Sequence, residues 1–343
     1  MDGRPMLGAL ARGLKFSAQI LKGDAPKYAC IQLTTRCNMR CSFCHFWSEA
    51  ANTADEMTLD EYRRLADELS HYGFLLTTLE GGEPFMRKDI LDIVRIFGAK
   101  HLTMLYSNGW FIDQDKAAAL FAAGLHRIGI SIDYPDAAAH DRKRGMKGAF
   151  DRAVRAVEYL RAAAPYGRTQ VNIISVLMRD NQHQIESMLK MAKDLDVGFE
   201  INVLSQQGFH RSSSDSDQLP EAPISDHLLA LWEKYDNFST FREYLAKVDA
   251  YATGQPTGDC RSGSIHFNVS ERGEISPCIE KVDHPFGDLR RESFSAIYQR
   301  LKTAGCADGC QSCWTLCRCL GQVISRRTNW AGWRDMMGRM QVK

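Results

Sequence analysis

The feature that most restricts the fold is a repeated alternation of short β-rich runs with longer amphipathic stretches. Thr58 and Glu61 form a capping box that predicts the start of the first helix after the first strand. Six such units predict an α/β fold with a parallel sheet, either open and doubly wound or closed into a partial (β/α)6 barrel of the TIM type. In both folds the functional side chains gather at the carboxyl ends of the strands. The predicted strands are 28–34, 74–80, 102–106, 127–133, 170–177 and 199–204.

The alternation ends at residue 204, and the composition changes along the rest of the chain. No apolar run is long enough to span a bilayer, no signal peptide is recognisable, and the net charge of +1 gives no reason to expect a nucleic-acid partner. A cytoplasmic protein is therefore expected. The predicted segments are a helical extension (1–27), the α/β core (28–204), a helical insertion or linker (205–256), a small cysteine-rich α+β unit (257–325) and a basic tail (326–343).

The chain has eleven cysteines, an unusual number for a protein without an export signal. A disulfide framework belongs to small secreted domains, whereas this density inside a cell points to metal or redox chemistry. The cysteines are also clustered, since none lies between Cys44 and Cys260. Clustering of this kind is typical of metal ligands.

The first cluster follows the first predicted strand and reads LTTRCNMRCSFCHFW. Cys37, Cys41 and Cys44 have the spacing Cx3Cx2C, with the aromatic Phe43 before the last thiol. Three thiolates can bind three irons of a four-iron cluster and leave one iron open, whereas electron-transfer clusters usually have four cysteine ligands. The alternatives are a zinc knuckle, which normally has four ligands, and three buried core cysteines.

Polar motifs end the next three predicted strands. LEGGEP follows the second strand, Tyr106-Ser107-Asn108-Gly109 the third, and Ser131-Ile132-Asp133 the fourth. A Gly-Gly or Asn-Gly sequence alone predicts only a turn. Their shared position at the carboxyl ends of strands makes them candidates for one binding site.

Together these motifs resemble the radical S-adenosylmethionine (SAM) superfamily. The resemblance implies that Cys37, Cys41 and Cys44 bind a catalytic [4Fe–4S] cluster, that SAM chelates the open iron, and that a 5′-deoxyadenosyl radical abstracts a hydrogen atom from the substrate. A flavodoxin or ferredoxin-type reductant is implied as well. The SAM-contacting residues that it implies are Phe43, Glu80, Gly81, Gly82, Glu83, Ser107, Asn108, Ser131, Asp133 and Arg144.

The second cysteine set resembles the twitch and SPASM domains of the same superfamily, which hold auxiliary clusters. The SPASM pattern expects a further cysteine where this chain has Val323, and none follows Cys319. One auxiliary [4Fe–4S] cluster is therefore predicted, a second auxiliary cluster is doubtful, and zinc is the alternative. The predicted ligands are Cys260, Cys278, Cys310 and Cys313, and the remaining thiols, Cys306, Cys317 and Cys319, are additional ligands, a hydrogen-atom donor or structural residues.

An auxiliary cluster suggests a two-electron oxidation, in which the substrate radical gives up its second electron. A small molecule such as a sugar or aminocyclitol is the leading expectation. The alternatives are a peptide maturase forming a crosslink or thioether, a redox-neutral epimerase, and a non-catalytic iron–sulfur or zinc protein. His45, Trp47, Tyr134 and the 205–256 insertion are candidates to line the substrate pocket.

Overall fold

A computed structural model describes residues 4–23, 25–49, 52–165, 170–205, 218–304, 310, 313–325 and 332. Nine of its strands form one sheet, in the order β6-β5-β4-β3-β2-β1-β7-β8-β9. Cys306, residues 206–217 of the insertion and nearly all of the 326–343 tail lie outside this description. The strands are β1 (Tyr28–Gln32), β2 (Leu76–Glu80), β3 (Leu102–Ser107), β4 (Arg127–Ser131), β5 (Val171–Leu177), β6 (Gly198–Val203), β7 (His266–Val269), β8 (Glu274–Ser276) and β9 (Gly287–Asp288).

Strands β1 to β6 are parallel and lie side by side in sequence order. A doubly wound sheet would reverse its strand order at a switch point, so the partial-barrel alternative is the correct one. All six predicted strands are confirmed, with ends that differ by at most two residues. The helices are α1 (Arg4–Leu21), α2 (Leu59–Tyr72), α3 (Ile90–Lys100), α4 (Gln114–Ala122), α5 (Ala137–Arg144), α6 (Ala149–Ala163), α7 (Ile185–Asp194), α8 (Ser225–Lys234), α9 (Arg242–Leu245), α10 (Val248–Ala252), α11 (Phe294–Ala304) and α12 (Leu316–Ser325).

Apolar side chains fill the amino-terminal end of the barrel. Phe16 and Ile20 of α1 are buried in one cluster with Tyr28, Leu76 and Leu102, the first residues of β1, β2 and β3. Burial of large apolar side chains contributes about 1.5–3 kcal/mol each. Helix α1 therefore closes this end, and the opposite end, where the strands finish, carries the polar motifs.

The cysteine-rich unit continues the sheet of the core. Strand β7 pairs in parallel with β1, and β7 and β8 form an antiparallel hairpin, with Gly273 at φ +87° in its turn. Backbone hydrogen bonds between β7 and β1 fix this hairpin against the first strand of the barrel. Cys260 and Cys278 lie on either side of the hairpin in the sequence.

Helix α12 packs between helix α9 and strand β7. On one side Trp314, just before α12, stacks on Tyr244 at a ring separation of 5.4 Å and donates to its carbonyl at 2.9 Å. On the other side Gly321 lies against His266 of β7. Leu320 and Ile324 join the apolar cluster of the barrel interior. This helix brings Cys317 and Cys319 to the core.

None of the described helices is both long enough and apolar enough to cross a membrane.

Candidate active site

A cavity of about 210 Å³, called the central cavity, lies at the carboxyl ends of the strands. It brings together residues that are far apart in sequence, from the first cysteine loop to the end of α5. Phe43, Tyr106 and Phe267 give it aromatic walls. The predicted site residues that line it are Cys37, Cys41, Phe43, Cys44, Glu80, Gly81, Gly82, Ser107, Asn108, Ser131, Arg144, Cys278 and Cys317.

The Gly-Gly turn supports the cysteine loop through its backbone. The Gly82 N–H donates to the Thr34 carbonyl at 2.7 Å, and the Glu83 N–H donates to the Arg36 carbonyl at 2.8 Å. A Cβ at Gly82 would lie 2.3 Å from the Arg36 oxygen, and one at Gly81 (φ +136°) would lie 2.4 Å from the Thr34 oxygen. Both positions need glycine because two backbones pass in direct contact.

Glu83 lies behind the cavity wall, and it is not one of the lining residues. Its carboxylate accepts hydrogen bonds from the Phe85 N–H at 3.1 Å, the Ser107 hydroxyl at 2.9 Å and the Asn108 N–H at 2.8 Å. Burial raises the pKa of Glu83 to about 7, against the effect of these three donors. Glu83 thus joins the Gly-Gly turn to the end of β3, and direct contact with SAM stays a prediction.

Arg144 is the cation in the wall of the central cavity. Its guanidinium donates two hydrogen bonds to Asp133, at 2.7 and 2.8 Å, and lies 5.4 Å from the centre of the Phe43 ring. Burial works against the charge, but Asp133 and nearby thiols raise the pKa of Arg144 above its ordinary value, so it stays protonated. Asp133, fully buried and held by the Val176 N–H, therefore positions Arg144 and does not line the cavity.

The end of α5 is bound to the cysteine loop. The Arg40 N–H donates to the Arg144 carbonyl at 3.2 Å, and the Ser42 N–H donates to the Lys143 carbonyl at 3.1 Å. Gly145, with φ +64°, permits this contact, because a Cβ there would lie 2.6 Å from the Arg40 oxygen. The Arg144 guanidinium and the three thiols of the cysteine loop are therefore held in fixed positions relative to one another.

All described cysteines carry free thiols. Burial raises the pKa of Cys37 to about 12 and that of Cys41 to about 11. Metal binding must therefore displace their protons, which couples loading of the site to pH. No three of the described His, Cys, Asp or Glu side chains already surround a single metal position. The fit to an iron–sulfur cluster rests on the soft thiol donors that share the cavity wall.

A second, smaller cavity, called the auxiliary cavity, adjoins the first. Arg318, which is fully buried, lies in its wall. The two cavities share His266, Cys278, Ile279, Thr315 and Cys317. Cys319 is buried in the main apolar cluster. The thiols that line the auxiliary cavity are Cys260, Cys278, Cys310, Cys313 and Cys317.

Of the predicted substrate-pocket residues, Trp47 lines the central cavity, whereas His45 and Tyr134 do not. The Tyr134 hydroxyl instead donates to Asp180 at 2.7 Å. Cys30, which no sequence motif singles out as a site residue, is buried in the apolar cluster of the barrel and also lines the central cavity, where its thiol donates to Glu80 at 2.8 Å. The period-2 alternation of β1, which puts Tyr28 and Cys30 on one face, was the available signal.

Comparisons with known proteins agree with this geometry. The sequence profile of the Radical SAM superfamily matches residues 31–192. An AdoMet-dependent heme synthase of Oleidesulfovibrio alaskensis is 30% identical over 293 residues, which cover 78% of this chain and 73% of the relative. The mycofactocin maturase MftC of Mycolicibacterium smegmatis is 27% identical over 318 residues, or 89% of this chain and 79% of the relative.

The fold is also similar to a solved structure. Streptococcus suis SuiB bound to its precursor peptide SuiA superposes with a TM-score of 0.64 at 16% identity, over 93% of this chain and 78% of SuiB. At this identity the similarity concerns the fold alone.

Proposed function

The chain belongs to the radical SAM superfamily, and we propose that it couples reductive cleavage of SAM to a two-electron oxidation of an organic substrate. Five residues, including Cys278 and Cys317, line both the central and the auxiliary cavity, and this shared wall is the observation that carries the proposal. When bound, SAM and its cluster supply a radical that abstracts hydrogen, and a second cluster supplies an acceptor for the remaining electron.

In the central cavity, different residues bind the catalytic cluster and the separate groups of SAM. Cys37, Cys41 and Cys44 hold the catalytic cluster. The half-buried backbone of the Gly81-Gly82 turn, which lines this cavity, suits the amino group of SAM. Arg144 suits its carboxylate, because a guanidinium binds a carboxylate with two parallel hydrogen bonds. The buried wall keeps water away from the reacting atoms.

In the auxiliary cavity, the predicted ligands Cys260, Cys278, Cys310 and Cys313 all line one space. Arg318 supplies a positive charge that offsets the thiolates, and it donates to the Cys313 carbonyl at 2.9 Å. A flavodoxin or ferredoxin-type protein is the proposed source of the electron that starts the reaction.

The lining of the central cavity favours a flat, largely apolar substrate. Tyr28, Phe46, Trp47 and Tyr106 present aromatic surface there, whereas a sugar needs hydrogen-bonding partners for several hydroxyl groups. The relatives named heme synthases make a tetrapyrrole the first compound to test.

A modified peptide is the second candidate, favoured by the match to a mycofactocin maturase over 89% of this chain. Incubation with iron coproporphyrin III, the tetrapyrrole in the name of one relative, in one series and with candidate precursor peptides in another separates the two. The true substrate accelerates 5′-deoxyadenosine formation and appears as an oxidised product by mass spectrometry.

Replacing Cys278 and Cys313 together with alanine tests the oxidation. We expect iron to fall from about eight to about four per chain, since one of two four-iron clusters is lost. SAM cleavage persists but the oxidised product disappears, because the second electron has no acceptor. Anaerobic iron assay measures the iron content, and product analysis measures the oxidised product. Cys319→Ala, which removes a buried thiol outside both cavities, is the control. Oxidised product at the wild-type rate from the four-iron variant would refute the proposed role.

A further inference from the structure

His266 is a buried histidine in the wall between the two cavities. It is the first residue of β7, pairs with Tyr28 of β1 across the parallel ladder and is only 3% exposed. It lines both the central cavity and the auxiliary cavity. The roles assigned to the cysteines and to Arg144 do not account for a polar ring at this position.

Neither ring nitrogen of His266 has a hydrogen-bond partner among the described residues. Nδ1 is fully enclosed, and it lies beside Gly321 of α12, where an added Cβ would be 3.4 Å away. Buried polar atoms are normally hydrogen-bonded, and the nitrogen of a neutral imidazole that carries the proton is set by the partners it finds. Nε2 is therefore the nitrogen that can donate to a group held in a cavity.

The backbone and a neighbouring aromatic ring fix the position of His266. Its carbonyl accepts a hydrogen bond from the Gly263 N–H at 2.7 Å, and its strand pairs with β1. The Tyr28 ring lies 6.4 Å from the imidazole, at an interplanar angle of 56°. A donor that is already held in place loses little conformational freedom when it binds, so it binds more effectively.

A cluster in the auxiliary cavity needs groups that offset its charge. A four-iron cluster on four thiolates is negatively charged, and a buried charge is costly unless it is compensated. Arg318 lies in the same wall and adds a positive charge, but its guanidinium donates to the carbonyls of Cys313 and Gly258. His266 supplies a further donor that no described residue uses.

We propose that His266 donates a hydrogen bond from Nε2 to the auxiliary cluster and so raises the reduction potential of that cluster. Reduction adds a negative charge, so a donor stabilises the reduced cluster more than the oxidised one. A higher potential favours transfer of one electron from the substrate radical, which forms on the other side of the shared wall. The inference rests on the proposed function, because that function supplies the auxiliary cluster.

The test uses the full-length chain with Cys37, Cys41 and Cys44 replaced by alanine, so that only the auxiliary cluster is observed. His266→Phe removes the donor, and His266→Gln keeps an N–H donor near the position of Nε2. His101→Phe is the matched control, because His101 is also fully buried with an unpaired Nδ1 but lines neither cavity. Each variant is reconstituted with iron and sulfide, and a redox titration followed by electron paramagnetic resonance measures its midpoint potential.

We expect all these variants to keep about four irons per chain. In His266→Phe the equilibrium constant for reduction of the cluster should fall about tenfold, which lowers the midpoint potential by about 59 mV for a one-electron couple. His266→Gln should recover part of that shift, and His101→Phe should retain the potential of the parent.

An unchanged potential in His266→Phe would overturn the inference and leave the proposed function intact. Iron loss from His266→Phe, with normal thermal melting of the iron-free chain, would make His266 a ligand and overturn its role as a donor. If the melting temperature falls, His266→Leu replaces His266→Phe in the same comparison. A parent protein that binds no iron would instead overturn the second cluster of the proposed function, and this inference with it.

Discussion

Replacing Arg144 with methionine should reduce SAM cleavage about a hundredfold at low SAM concentration, mainly by raising the KM for SAM. The guanidinium lies in the wall of the central cavity beside the three thiols, and Asp133 fixes its orientation through two hydrogen bonds. Truncating one partner of a buried charge pair costs about 2–5 kcal/mol, and each 1.4 kcal/mol is a factor of ten in affinity. Titration of 5′-deoxyadenosine formation against SAM measures the effect.

Two further variants separate SAM binding from stability. Arg144→Met leaves the buried Asp133 carboxylate without its cation, so the variant also loses stability. Adding Asp133→Asn removes that charge, and we expect melting to recover in part while the KM stays high. Arg144→Lys keeps the positive charge but lacks the paired hydrogen-bond donors of the guanidinium. Its KM for SAM should lie between those of wild type and Arg144→Met. An unchanged KM in Arg144→Met would exclude Arg144 from SAM binding.

Replacing Gly82 with alanine should displace the cysteine loop and reduce cluster loading. The new methyl group would lie 2.3 Å from the Arg36 carbonyl oxygen, which is one residue before Cys37. The Arg36 oxygen belongs to the backbone and the new methyl group is rigidly attached to the backbone as well, so the two segments must separate. This separation strains the hydrogen bond from the Gly82 N–H to the Thr34 carbonyl. Overpacking of this kind costs about 1–3 kcal/mol. Iron content after reconstitution and urea unfolding report the two effects.

Gly321→Ala is the matched control for Gly82→Ala. Gly321 lies in α12, and an added Cβ there meets no atom closer than 3.4 Å. It should retain normal iron content and stability. Normal cluster loading in Gly82→Ala would show that the contact between the Gly-Gly turn and the cysteine loop is not needed for the site.

The sequence predicted the strands well, and it placed Cys37, Cys41 and Cys44 together after the first strand, because both features depend on local patterns. Short β-rich runs bounded by turn residues define β1 to β6 within two residues, and the Cx3Cx2C spacing lies within a single loop. The roles of Glu83 and Asp133 were harder to predict, because a motif shows that a carboxylate is present and not which way it faces. In the structure Glu83 binds the end of β3, and Asp133 binds Arg144.

Long-range packing could not be predicted from the sequence. The pairing of β7 with β1 joins segments more than 200 residues apart, and nothing near Tyr28 or His266 specifies it. The position of α12 depends on similar contacts, including the stack of Trp314 on Tyr244. As a result, the sequence did not predict that Cys317 lies in the wall of both cavities, where α12 places it.

The most direct test of the catalytic site is anaerobic SAM cleavage by the reconstituted protein with dithionite as the electron donor. We expect 5′-deoxyadenosine from the wild-type chain, and none from a variant in which Cys37, Cys41 and Cys44 are alanine but the auxiliary iron is retained. Equal 5′-deoxyadenosine formation by the two proteins, or none from a wild-type chain with both clusters loaded, would contradict the assignment of the catalytic site to these three cysteines.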